Sequence, residues 1–193
     1  MKPISQVIVL LALFLGHSVQ SHAALLIEPL VGFNLGSKFD FKFDDSPAQN
    51  ENYSGGKGGA FGGRLGYQNF GFQLGVDYLN SSIDMNTSDF KTNISLSEWA
   101  GFVGYEFPLF LRVYAGYIFS ANGSTKKSTS ESVDLSKGTG SKLGLGFTGL
   151  PFIDINFEYR TGTINQMSYG GTDYDTEIRY SSLMLGLSVP FTI

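Results

Sequence analysis

Between Phe152 and Arg160 the chain alternates without a break. Ile153, Ile155, Phe157 and Tyr159 fall on one side; Asp154, Asn156, Glu158 and Arg160 fall on the other. Strand side chains have a period of two, so this segment reads as a strand with one apolar and one ionic face. The pattern returns along the chain. Leu25, Ile27, Val31, Phe33 and Leu35 oppose Glu28, Gly32, Asn34 and Gly36. Phe70, Phe72, Leu74, Val76 and Tyr78 oppose Gly71, Gln73, Gly75 and Asp77. Leu183, Leu185, Leu187, Val189 and Phe191 oppose Ser182, Gly186 and Ser188. A sheet patterned this way needs an apolar medium on one side, and a bilayer supplies it.

The pattern predicts eight strands, over 25–37, 59–67, 70–79, 91–105, 110–119, 139–148, 152–162 and 177–192. Three connections are tight: Gln68-Asn69, Glu106 to Leu109, and Gly149 to Pro151. The stretches 38–58, 80–90, 120–138 and 163–176 are longer and rich in Ser, Asn, Gly, Asp and Thr. Alternating short turns and long loops build an up-and-down barrel with turns in the periplasm and loops outside. An even strand count then places both termini in the periplasm. Strand two is glycine-rich and keeps only Phe61, Leu65 and Tyr67 on its outer face. Strand four breaks register: Ile94 and Leu96 lie on one face, Trp99, Val103 and Tyr105 on the other. A bulge near Ser97-Glu98 reconciles them, or the upper part of the strand stands clear of the membrane. Glu98 is inside in either case.

Alternation alone does not say which face is inside. The mid-strand charges and the glycines beside them suit a crowded narrow lumen. Aromatics gather near strand ends, as interfacial girdles do. Tyr67, Phe70, Tyr105, Phe107, Phe110, Phe147, Phe152 and Phe191 mark one rim; Tyr78, Tyr117, Phe119 and Tyr159 mark the other. No helical pattern is available to close the mouth of a soluble, lipocalin-like barrel. The expected fold is all-β: an eight-stranded antiparallel up-and-down transmembrane β-barrel over residues 24–193.

Residues 1–23 read as a signal peptide. Lys2 gives a positive start, Val7 to Leu15 is a short apolar run, and Ser21-His22-Ala23 is a small-x-small cleavage site. The run is too short to span a bilayer as a helix. From Ala24 onward, 12 lysines and arginines face 17 acids, a net charge of −5. A mildly acidic chain without a basic stripe argues against a nucleic-acid partner. There is no cysteine, which excludes thiol lipidation and disulfides.

The chain resembles the small outer-membrane barrels of the OmpA, OmpX and OmpW kind, from Leu25 to Ile193. The resemblance rests on architecture and on the terminal strand Leu183-Met-Leu-Gly-Leu-Ser-Val-Pro-Phe-Thr-Ile193. In such families the last strand is read by the barrel-insertion machinery, usually through a terminal Phe. Here Ile193 is last, and Phe191 lies two places earlier on the same face. The resemblance implies outer-membrane lipids and that machinery as partners.

The polar face carries Glu28, Arg64, Asp77, Glu98, Arg112, Lys142, Asp154, Glu158 and Arg160. An eight-stranded barrel is just wide enough for side chains to fill it, and nearly cancelling signs favour a packed ionic plug over a selective pore. Both histidines, His17 and His22, lie in the leader. Without His or Cys the barrel lacks the bases and nucleophiles of known outer-membrane enzymes, and no catalytic site is expected. Asp154 and Glu158 stand four apart, about 13 Å along a strand, too far to act as a carboxylate pair. Gly144-Leu-Gly-Phe-Thr-Gly149 spells a dinucleotide fingerprint, but a strand rather than a helix follows it. Asp173, Asp175 and Glu177 offer too few oxygens for calcium. Asn-x-Ser triplets, as at Asn52, Asn86, Asn93 and Asn122, carry no glycosylation meaning in a Gram-negative cell. No cofactor or metal is expected. The expected role is structural or interfacial, with four loops at the cell surface. The alternatives are a small channel or conduit for a small or apolar solute, and a lipocalin-like soluble carrier.

Overall fold

The computed structural model describes residues 24–42, 51–87, 90–127 and 132–193. The leader 1–23 lies outside the described residues. Eight long strands run β1 (Ala24–Lys42), β2 (Glu51–Asn69), β3 (Phe72–Thr87), β4 (Phe90–Phe107), β5 (Leu111–Lys127), β6 (Ser132–Leu150), β7 (Ile153–Tyr169) and β8 (Thr172–Ser188), followed by the two-residue β9 (Phe191–Thr192). Each long strand pairs antiparallel with the next, and β8 pairs with β1, so the sheet closes into a ring. Closure leaves no open edge, and backbone groups find partners within the ring.

The closing seam is where the start of β1 meets the C-terminal residues. Leu30 pairs with Ser188 and Ile27 with Phe191, in one unbroken register. Leu25 and Ile193 exchange backbone hydrogen bonds at 2.9 and 3.1 Å. Between these pairs sit Pro29 and Pro190, neither of which has an N–H to donate. Val189 N–H still donates to the Pro29 carbonyl at 3.1 Å. The terminal strand anticipated over 177–192 is therefore split at Val189-Pro190, without slipping.

At one end the turns are short. The first lies at Phe70-Gly71, two residues beyond the expected Gln68-Asn69; Gln68 pairs with Gln73 and Asn69 with Phe72. Both turn residues have positive φ, 49° and 81°, the backbone of a type I′ hairpin. The others span 108–110 and 151–152. Each again carries a phenylalanine at positive φ, Phe110 at 61° and Phe152 at 66°.

At the other end the stretches expected as long loops are mostly strand. β3 reaches Thr87 and β4 begins at Phe90; β7 and β8 are joined by Gly170-Gly171 alone. The connections 43–50, 88–89 and 128–131 lie outside the described residues. The polar residues that suggested loops include outward-facing strand residues. Asn80 donates to Ser97 at 2.7 Å and Asn93 to Asp84 at 2.8 Å across the β3–β4 pair. Their inward neighbours are apolar: Ile83, Met85, Leu135, Ile164 and Ile178 are each at most 2% exposed.

The barrel thus has two storeys of opposite polarity. In the lower one, apolar side chains face out and charges face in. In the upper one, polar side chains face out, and Phe39, Ile83, Ile94, Leu96, Ile118, Leu135, Ile164, Ile178 and their neighbours form a dry core. This inversion explains strand four. β4 keeps one register with β3 along its whole length, so there is no bulge at Ser97-Glu98 against that partner. Ile94, Leu96, Glu98, Ala100 and Phe102 all point inward. The irregularity lies between Trp99 and Ala100 against β5, where the β5 strand holds the extra residue. Trp99 and Val103 stay outside because the interior, not the strand, changes character.

The lower outer face is an apolar belt. Ile155, Phe157 and Tyr159 on β7 are 36%, 43% and 48% exposed, as hydrocarbon-facing side chains should be. Phe72 meets Tyr105 at a centroid distance of 4.7 Å near the turns, and Tyr78 meets Trp99 at 4.9 Å near the inversion. Aromatic pairs at both edges of the belt fit the two membrane interfaces. Phe157 lies in the middle of the belt. Phe157→Arg is expected to cost about 2–4 kcal/mol of folding stability. Urea unfolding in vesicles measures it, and a cost near zero would place this face away from lipid.

Candidate functional site

The lumen charges come from seven of the eight strands. Inward positions in β1 to β6 supply Glu28, Arg64, Asp77, Glu98, Arg112 and Lys142, one each. β7 supplies Asp154, Glu158 and Arg160 from a single face. All nine are between 0% and 7% exposed.

They join in one connected network. Near the turns, Arg112 donates to both oxygens of Glu28, at 2.9 and 2.7 Å, in a bidentate pair. Its NH1 also lies 3.4 Å from Asp154. Arg64 bridges upward from Glu28 at 3.0 Å to Glu158 at 3.1 Å. Glu158 is the centre of the upper half: it contacts Arg64, Arg160 and, at 3.7 Å, Lys142. Arg160 continues to Glu98 at 2.8 Å. Asp77 closes the side branch, in contact with Lys142 and 3.9 Å from Arg64 Nε. Reading along the axis, signs alternate from Asp154 through Arg112, Glu28, Arg64, Glu158 and Arg160 to Glu98.

Neutral residues complete it. Asn156 accepts from Arg112 at 2.6 Å and donates to Ser188 at 2.7 Å; Ser188 in turn donates to Glu28. Tyr180 caps the top by donating to Glu98 at 2.7 Å, and its ring belongs to the dry core above. Tyr114 fills the middle, its ring 4.3 Å from the Arg64 guanidinium carbon, in cation–π contact. Gly144 makes room for that ring: a Cβ there would lie 2.1 Å from Tyr114 Cζ. The glycines of the dinucleotide-like string thus serve packing. Asn156, Ser188, Tyr114 and Tyr180 were not singled out from the sequence as site residues. The signal was parity: each sits an even number of residues from a charge or serine on the same strand face.

The arrangement satisfies charges with charges. Arginine suits it because its fork reaches two carboxylates at once. Buried ions without such partners would be very costly. Asp154 and Glu158 are held by different arginines, Asp154 by Arg112 and Glu158 by Arg64 and Arg160. Outside the lumen, Asp173 accepts from Gln166 at 2.7 Å, and Glu177 pairs with Arg179 at 2.5 Å. Among the described residues no group of three potential metal ligands occurs.

No curated protein matches the sequence. Among solved structures, the Neisserial surface protein A superposes with a TM-score of 0.56 at 13% identity, over 86% of this chain and 97% of that one. Ail, the attachment invasion locus protein of Yersinia pestis, superposes with a TM-score of 0.55 at 15% identity, over 86% of this chain and 98% of that one. At such identities the likeness is one of fold. The profile of the outer membrane protein beta-barrel domain matches residues 9–191. With that match, a ring of eight antiparallel strands and an apolar outer belt, the chain belongs to the outer membrane protein β-barrel domain family.

Proposed function

We propose that this protein is a closed, non-enzymatic barrel that anchors a rigid β-walled projection in the outer membrane. In this reading residues 1–23 are removed on export. The turns and both chain ends lie in the periplasm, and the upper storey with its loops faces the cell exterior. The role is one of structure or surface interaction, carried by the projecting end.

The observation that carries the reading is the filling of the interior. The lower half of the lumen is crossed by the network from Asp154 to Glu98. The upper half is packed with aliphatic and aromatic side chains at 0–3% exposure. An ion entering would have to displace paired charges and then cross a dry core, both unfavourable. The terminal strand, ending Phe191-Thr-Ile193 against β1, is the segment we assign to the insertion machinery.

The test is conductance of the refolded protein in planar bilayers. No steady channel is expected, whatever the sign of the applied voltage. A large, steady single-channel conductance would overturn the closed reading and favour a conduit.

A further inference from the structure

The outer wall changes from apolar to polar at a defined line, and on the β5–β8 and β1 side that line is a row of hydroxyls. The pairing register aligns it. Tyr117 pairs with Ser141, Ser141 with Thr161, Thr161 with Ser181, and Ser181 with Lys38. One pleat lower, Leu143, Tyr159 and Leu183 are aligned in the same way and end the apolar belt. One pleat higher, Thr139, Thr163, Arg179 and Asp40 form the next row. Direct neighbours in such rows stand about 5 Å apart. A shallow depression of about 460 Å³ opens here, lined by Tyr117, Thr139, Ser141, Thr161, Thr163 and Arg179, with Gly140 and Gly162 as its floor.

Charge is graded across the rows. The first row above the apolar edge contains one cation, Lys38, and no acid. The acids lie farther from the belt: Asp40 opposite Arg179, and Glu177 paired with it at 2.5 Å. Arg179 remains exposed, with 57% of its side chain accessible. Thr161 spends its proton on the Tyr180 carbonyl, at 3.2 Å, so donation outward falls to Ser141, Ser181 and Thr163.

We propose that this patch binds the phosphate head group of a membrane lipid in the leaflet on the loop side. The apolar row directly beneath holds the acyl chains, which no soluble anion would use. The hydroxyls and Lys38 reach the phosphate oxygens, and Arg179 closes the outer side. Serine, threonine, lysine and arginine are the donors that phosphate oxygens take, and cationic donors bind them most strongly. The proposal needs the chain to be membrane-embedded but does not depend on whether its lumen conducts.

The experiment uses the full barrel in nanodiscs of phosphatidylcholine doped with phosphatidate. Lipid carried with the protein is identified by native mass spectrometry. Phosphatidate should be retained about tenfold over phosphatidylcholine, the ratio given by about 1.4 kcal/mol. Lys38→Gln with Arg179→Gln should abolish the preference. Ser141→Ala with Ser181→Ala, which changes no charge, should reduce it several-fold. Lys57→Gln, which removes a single outward cation on β2 outside the patch, should leave it intact. All these positions are on the outer surface, and the heat-dependent gel shift of a folded barrel checks each variant. Equal loss in the Lys57 variant, or none in the serine pair, would reduce the effect to diffuse electrostatics and overturn the site. So would displacement of the lipid by inorganic phosphate, or no preference in the wild type.

Discussion

Arg112→Ala is expected to lower the unfolding free energy of the barrel in detergent micelles by about 3–5 kcal/mol. Arg112 is 1% exposed and donates to both oxygens of Glu28 and to Asn156. Its loss strands the charge of Glu28 against a single remaining arginine, Arg64, and removes the principal partner of Asp154. An uncompensated buried charge costs far more than the pair contributed when intact. The double change Glu28→Gln with Arg112→Met separates the stranded charge from the lost contacts. Removing both charges should recover much of the loss. The same Arg112→Ala protein should stay closed in planar bilayers, because the dry core above the network is left in place. Urea midpoints unchanged from wild type would mean that these groups are solvated and line a pore.

Ile164→Ala should cost about 2–5 kcal/mol, although it lies in a stretch that reads as loop. Ile164 is fully buried among Leu135, Ile178 and the rest of the upper core. Deleting its side chain leaves a cavity in a packed interior, and the surrounding strands cannot collapse far without losing their ladder. The neighbouring outward residue Thr163 serves as the control. Thr163→Val leaves the core untouched and should change stability by less than about 0.5 kcal/mol. The measurement is again urea unfolding, with proteolysis of the folded barrel as a second readout. If Ile164→Ala behaves like a loop substitution, the upper storey is not a cooperative part of the barrel.

The nine charges illustrate what one-dimensional pattern conveys. Their inward direction follows from parity: a strand with Phe157 in lipid must turn Glu158 and Asp154 the other way. The partners do not follow. Glu158 is joined to Arg160 on its own strand but also to Arg64, ninety-four positions away. Nothing local distinguishes Arg64 from Arg112 as its partner; strand order and tilt around the ring decide it. Tyr180 was passed over for a similar reason. It lies on the inward face of the last strand, but its donation to Glu98 depends on the curvature that brings β8 across from β4.

The upper storey was illegible for a different reason. Its polar residues carry the composition of loops, and its apolar ones, such as Ile83, Met85, Leu135 and Ile164, are too sparse to mark a strand against that background. Alternation weakens where glycine and serine occupy many outward positions. The apparent register break in strand four was in fact the best clue. Ile94 and Leu96 share a face with Glu98, which makes sense only if one face changes from apolar to ionic along its length.

The sequence by itself determined the fold class, the closed antiparallel ring, the lipid-facing side chains and the inward set of charges. These all follow from a period of two and from the requirement that backbone groups be satisfied in hydrocarbon. Only the tertiary structure decided which charges pair, that the strands rise past the belt, and that the interior inverts from ionic to dry. Those depend on how eight strands are staggered around a common axis. Stagger sets which inward residues meet and at what height the solvent outside changes from lipid to water, and no single strand contains it.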